Sequence, residues 1–328
     1  MVTSNSARPG KRPGILELSF SLWRLIAAFG WIAAVVTVLG FFGSLWWIFD
    51  LFSHFRVQLL AGLVLVSALL LVRRELKSSI VLAIFAGVNL STIVPLYVGQ
   101  VPIAAADSFS HRALLANVST RSGKPELLVQ VIQQFKPDII VLEEVDEAWL
   151  SALEQELAAY PHMEAAPRAD NFGIALYSRY PIRRGEIIYV GDAEVPSVIA
   201  EIESPAGAFT VIGTHPVPPG SAENSRLRDG QLSQLPELVK NASSPVLLLG
   251  DLNLTPWSYA FSRLVRESGL RDTSRGRGVQ PTWPTFMPLF WIPIDHCLYG
   301  AGIQVTDKIV GPEIGSDHYP LIINFVLE

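Results

Sequence analysis

The chain has 328 residues, 50% of them hydrophobic, with one cysteine and a net charge of −5. A single cysteine, Cys297, excludes an intramolecular disulfide framework. Charge is unevenly spread: residues 1–104 carry 8 Lys/Arg against 3 Asp/Glu, whereas residues 105–328 carry 17 against 27. An acidic second part argues against a general binder of nucleic-acid backbone, which needs clustered cations.

Three apolar stretches fill the first third: residues 25–49, which contain a single run without charge up to Phe49, then 57–72 and 80–99. A helix needs about 20 apolar residues to cross a bilayer. The first and third stretches meet that length. The second is short and calls on Phe55 and a snorkelling Arg56. Trp23, Trp46, Trp47 and Tyr97 suit interfacial belts. The N-terminal tail holds Arg8, Lys11, Arg12 and Arg24, and the turn "RRELKSS" holds Arg73, Arg74 and Lys77. The positive-inside rule therefore places both in the cytoplasm and everything after about residue 100 outside. The organisation expected is a cytoplasmic tail (1–24), an anchor of three transmembrane helices (25–104) and an outer domain (105–328), with residues 100–112 as the linker. "PIAAADS" faintly resembles a cleavage site.

After residue 112 short apolar runs alternate with helical spacing. "HRALLANVS", "PDIIVLEEV", "FGIALYSRYPI", "EVPSVIAEIES", "AFTVIGTH", "SPVLLLGDLN", "IDHCLYGAGIQV" and "DHYPLIINFVL" read as strands. "KPELLVQVIQQF" and "SRLRDGQLSQLPELV" read as helices. Such mixing indicates an α/β or α+β sandwich. Many of these runs end in polar residues: Asn117, Glu143 and Glu144, His215, Asp251 and Asn253, Asp295 and His296. Asp317 and His318 open the last strand in this reading. Asp251 and Asn253, two apart, share a face on an extended chain. Strand ends of this chemistry, three of them with imidazoles, aim at one pocket. The uncharged aromatic run Trp283–Ile292 precedes Asp295 and forms either a cap on the core or a rim that meets lipid.

"NVST", "DIIVLEEV", "GTHPVPP", "LLLGDLNLTPWS", "IDHCLYG" and "GSDHYPLIINF" together resemble the ordered motifs of the endonuclease/exonuclease/phosphatase superfamily over about residues 110–328. The resemblance implies a four-layer α/β/β/α sandwich that hydrolyses phosphate esters with Mg²⁺ (Mn²⁺ or Ca²⁺ as substitutes). It implies Asn117, Glu144 and Asp317 on the metal side and His318 as general base oriented by Asp295. It implies Asp251 and Asn253 at the nucleophile and scissile phosphate, and His215 on developing charge. Glu143 stands where an amide is common. His296 reads as a hydrogen-bonded loop histidine, and Arg228 and Gln231 as supports of the fold.

The expected partners are the bilayer and a phosphate-ester substrate, a lipid headgroup or nucleic acid. No protein partner is inferable. The function expected is a membrane-anchored phosphoesterase. A membrane-tethered nuclease and a non-catalytic receptor or scaffold on the same fold are the alternatives. Asn117 and Asn253 sit in glycosylation sequons, which favours a bacterial inner membrane with the outer domain in the periplasm.

Overall fold

The structure is a computed structural model that describes residues 15–99, 101 and 109–328. Arg8, Lys11, Arg12, the cleavage-like segment and most of the expected linker lie outside the described residues. The first part comprises helices α1 (Ile15–Leu39), α2 (Trp47–Ser53), α3 (Arg56–Val72) and α4 (Leu76–Ile93). Two segments, Leu22–Leu39 and Leu76–Leu96, are long and apolar enough to cross a membrane. The α2–α3 pair adds a third if it is one span, bent by 66°.

The first apolar stretch is not one continuous span. Helix α1 stops at Leu39, and Gly40 and Gly43 sit in the turn that follows. A Cβ on Gly43 would lie 2.7 Å from Asp50 Oδ1 and 3.1 Å from its Cα, so a larger residue would crowd the return of the chain there. Arg56 does not snorkel either; it is buried. Its guanidinium donates to Thr37 O (3.0 Å) and Asn89 Oδ1 (3.4 Å) and lies 4.0 Å from the Phe41 ring centre. The carbonyl end of α1 and an aromatic face thus partner the buried charge. At the other end of the bundle Arg73 stacks 5.0 Å over Trp23. Leu25, Phe29, Ile32, Leu65, Val72, Ile80 and Ile84 all face outward and are exposed.

The second part is two six-stranded sheets packed face to face. Sheet one contains β1 (Ser110–Asn117), β2 (Ile139–Glu143), β3 (His162–Ala166), β4 (Ile174–Ser178), β11 (Ile303–Val310) and β12 (Leu321–Leu327), in the order β11-β12-β1-β2-β4-β3. Sheet two contains β5 (Ile182–Tyr189), β6 (Pro196–Ser204), β7 (Gly207–Thr214), β8 (Val246–Asp251), β9 (Arg271–Asp272) and β10 (Asp295–Tyr299), in the order β5-β6-β7-β8-β10-β9. Alternating residues of β1, β2, β7 and β8, among them Leu115, Val141, Val211 and Leu249, fill the space between the sheets. The opposite faces carry Leu114, Ile140 and Leu142 against α5 (Pro125–Phe135) and α6 (Glu147–Leu153), and Ile212 and Leu248 against α7 (Ala222–Asn241) and α8 (Tyr259–Ser268). Strands buried on both faces need continuous apolar runs, as "IIVL" and "VLLL" supply. The result is an α/β/β/α sandwich preceded by apolar helices.

β1 pairs with β2 in parallel, and β7 with β8. Each parallel pair brings two carboxyl ends to the same edge, where the polar residues sit. Antiparallel β10 adds Asp295 directly across from Asp251. The last strand begins at Leu321 rather than Asp317, because Pro320 precedes it and cannot donate to the ladder. Asp317 and His318 therefore lie in the loop before β12.

Candidate active site

Asn117 ends β1, and its Nδ2 donates to Glu144 Oε1 at 3.0 Å and reaches Asp251 Oδ2 at 3.5 Å. Glu144 takes φ +60°, a left-handed turn that swings it away from the ladder its neighbour closes. Glu143 points elsewhere: fully buried, its carboxylate accepts the Asp251 backbone N–H at 3.0 Å. The two adjacent glutamates thus divide the work, Glu144 facing the cavity and Glu143 holding β8. Glycine at 250 permits that approach, since a Cβ there would lie 2.0 Å from Thr214 O.

Asp251 and Asn253 do not share the face of an extended strand. β8 ends at Asp251, Asn253 has φ +53°, and its N–H donates to Asp251 Oδ1 at 2.9 Å. This is an Asx turn, which aspartate favours where a ladder stops. Asn253 still lines the cavity, with its Nδ2 on Pro216 O.

Three groups meet at Asp251. Its Oδ2 lies 3.6 Å from His215 Nε2 and 3.6 Å from His318 Nε2. His318 Nδ1 is 2.9 Å from Asp295 Oδ2. Asp317 Oδ2 accepts from Trp283 Nε1 at 3.0 Å. All eight expected site residues except Asn117 and Asp295 border one cavity of about 570 Å³, and those two hydrogen-bond to residues that do.

Charge in the site is strained. Burial pushes Asp251 up to about 8, with His318 opposing and Asp295 adding to the rise. Glu143 is raised well above its ordinary value by burial and then by Asp251 and Asp295, and burial also raises Glu144 against its hydrogen bond from Asn117. Burial disfavours charge on His318, but Asp295 and Asp251 outweigh it and lift the imidazole to about 10. Burial, reinforced by His318, drives His215 down to about 3, so it stays neutral. Buried acids of this density are what a divalent cation compensates.

Two donor sets bear on where such a cation sits. Ligand atoms of Asp251, Asp295 and His318 lie within 4.8 Å of one another. Yet Asp295 and His318 are already committed to each other at 2.9 Å. The oxygen set of Asn117, Glu144 and Asp317 suits a hard cation better, with Asp251 at its border.

Other residues went unread in the sequence. Phe172 packs on the His215 ring at 5.5 Å, and Thr282 Oγ1 accepts the Asp295 N–H at 3.3 Å. His296 is not in a loop: it is buried in β10, bonded to Leu254 O at 2.7 Å and packed on Phe261. Arg228 is buried and pairs with Asp50 of α2 at 3.3 Å, while Gln231 bonds Thr214. Leu51 of α2, and His54 and Phe55 from the bend into α3, line the same cavity. The lone Asp50 in a long apolar region was the available signal.

The family model described as "Endonuclease/Exonuclease/phosphatase family" matches residues 114–318, which span this entire constellation. The chain belongs to the endonuclease/exonuclease/phosphatase family. Exodeoxyribonuclease III of Haemophilus influenzae is 26% identical over 210 residues, 60% of this chain and 74% of that protein. A UPF0294 protein of Vibrio parahaemolyticus is 30% identical over 157 residues, 47% of this chain but only 45% of its own length. The family fold recurs in a Bacteroides vulgatus endonuclease/exonuclease/phosphatase (TM-score 0.56, 18% identity, 67% of this chain and all of that one, 100%). It recurs again in D. rerio TDP2 complexed with a single-strand DNA product (TM-score 0.56, 17% identity, 66% and 98% covered).

Proposed function

We propose that the protein is a membrane-anchored, divalent-metal-dependent phosphoesterase acting on a lipid headgroup. Residues 25–104 form the multi-pass anchor, residues 1–24 the cytoplasmic tail, and residues 105–328 a catalytic domain outside a bacterial inner membrane. The observation that carries the substrate class is the cavity lining. Among the described residues no lysine or arginine borders it, whereas Leu51, Phe55, Phe172, Trp283 and Ile292 do. Nucleic-acid binding draws its affinity from cations on phosphates, so an apolar wall beside a phosphoryl site favours lipid. The loop before Asp295 supports the same reading. Phe286, Met287, Leu289 and Phe290 are exposed rather than folded onto the core, and Phe290 meets Phe55 of the anchor.

Asn117, Glu144 and Asp317 would hold the cation, Mg²⁺ by the chemistry of the donors. When bound, it offsets phosphoryl charge and, by its own charge, disfavours the imidazolium form of His318. Asp295 keeps a proton on His318 Nδ1, leaving Nε2 free to take one from the attacking water. Asp251 and Asn253 orient that water and the scissile phosphate. Neutral His215 donates to a phosphoryl oxygen as charge develops.

The test is a substrate panel with the full chain in vesicles. Phospholipid, sphingomyelin, phosphoinositide, DNA and RNA are each offered with Mg²⁺ and with chelator. Metal-dependent release of a headgroup is expected. Cleavage of DNA or RNA with all lipids untouched would replace this reading with the nuclease one, and binding without turnover of anything would favour the receptor.

A further inference from the structure

We infer that the bend between α2 and α3 is a working wall of the catalytic pocket, so that the anchor itself supplies residues that bed the substrate's hydrocarbon chain beside the scissile phosphate. This rests on the phosphoesterase reading and deepens it.

The bend is fixed to the outer domain, not loosely tethered. Asp50 accepts from Ser258 Oγ (2.8 Å) and the Tyr259 N–H (2.8 Å) and pairs with Arg228, all with buried side chains or at the start of α8. Gln58 Nε2 donates to Trp291 O at 2.9 Å, and Trp257 Nε1 donates to Thr92 O at 3.1 Å. Phe55 meets Phe290 edge to face, with ring centres 6.3 Å apart. These contacts leave Leu51, His54 and Phe55 on the same cavity as Glu144, Asp251 and His318. Leu51 and Phe55 are half-buried, and His54 is buried with its Nε2 unpartnered.

A cavity of about 570 Å³ is within the roughly 300–1,000 Å³ of small-molecule sites. Its mixed lining fits one class of ligand, a phosphodiester carrying an alkyl or acyl chain. A soluble sugar phosphate or nucleotide would leave Leu51 and Phe55 facing polar groups or water.

The experiment uses the full chain in one detergent and a series of alkyl p-nitrophenyl phosphodiesters from methyl to octyl. Wild type is compared with Phe55→Ala and, independently, Leu51→Ala, and thermal unfolding is followed to confirm that each variant is folded. Partition into micelles is common to all proteins, so the wild-type-to-variant ratio of kcat/KM isolates the wall. That ratio is expected to grow with chain length and reach roughly tenfold or more at octyl, because each methylene buried against the wall contributes to binding. A ratio independent of chain length in both folded variants overturns the wall while the phosphoesterase reading stands. A wild type that hydrolyses none of the esters with Mg²⁺ or Mn²⁺ overturns both.

Discussion

At Asp251 burial works directly against ionisation. Its carboxyl is buried, within 3.6 Å of two imidazoles, and pushed up to about 8. An acid whose folded pKa is raised makes the folded state bind more protons than the unfolded one. Its contribution is therefore fully favourable below about 4 and is lost as pH rises toward 8. Asp251→Asn removes that penalty. In chelator, the variant should melt above wild type at pH 8 and the difference should shrink by pH 5. In Mg²⁺ the order should reverse, since the wild-type carboxylate is compensated and the amide is not. Melting curves at the two pH values check this, and an apo variant less stable than wild type at pH 8 would contradict it. The pairing of strand-end acids with histidines was legible from "LLLGD", "TVIGTH" and "GSDH", because ionisable groups at the ends of buried strands are seldom buried unless they pair. The Asx turn at Asn253 was not. A two-residue offset reads as one face until the ladder is known to stop at Asp251.

Among the elements, α2 is the one that hydropathy hides. Its apolar composition merges with the preceding run, and a window average does not see the turn at Gly40–Gly43 or the 66° bend into α3. Nor does sequence reveal that Asp50 finds Arg228, which lies 178 positions away. The edge strands β3 and β5 were equally hard to read, since their partly exposed faces carry mixed polar and apolar residues. The central strands, buried on both faces, declared themselves. Asp50→Ala would leave Arg228 in the interior with Asp229 as its remaining acidic partner and orphan the first N–H of α8. The loss expected is about 3 kcal/mol, together with detachment of the α2–α3 bend. Unfolding in detergent and protease sensitivity around residues 40–58 measure both. Stability within about 0.5 kcal/mol of wild type, the range of an ordinary surface change, with unaltered proteolysis would show that the lock is not made.

At the scale of the whole molecule, charge and contact bear on the proposed orientation. Arg73 stacks on Trp23 at one end of the helical bundle, while Asp50, Thr92 and Phe55 contact the sandwich at the other. On the proposed reading the basic end is the cytoplasmic one, and the sandwich faces the opposite side. An alkaline phosphatase fused after Glu328 should be active in a bacterial host, because that reporter folds only outside the cytoplasm. An inactive fusion with an active cytoplasmic reporter in its place would invert the topology. The most direct test of the account as a whole is metal-dependent turnover of bis(p-nitrophenyl) phosphate by the full chain, measured for wild type and His318→Ala in Mg²⁺ and in chelator. The prediction is turnover in Mg²⁺ alone and a loss of about 10²–10⁴-fold in the variant, with a cooperative unfolding transition retained. Turnover that persists in chelator, or a folded variant within twofold of wild type, would contradict it.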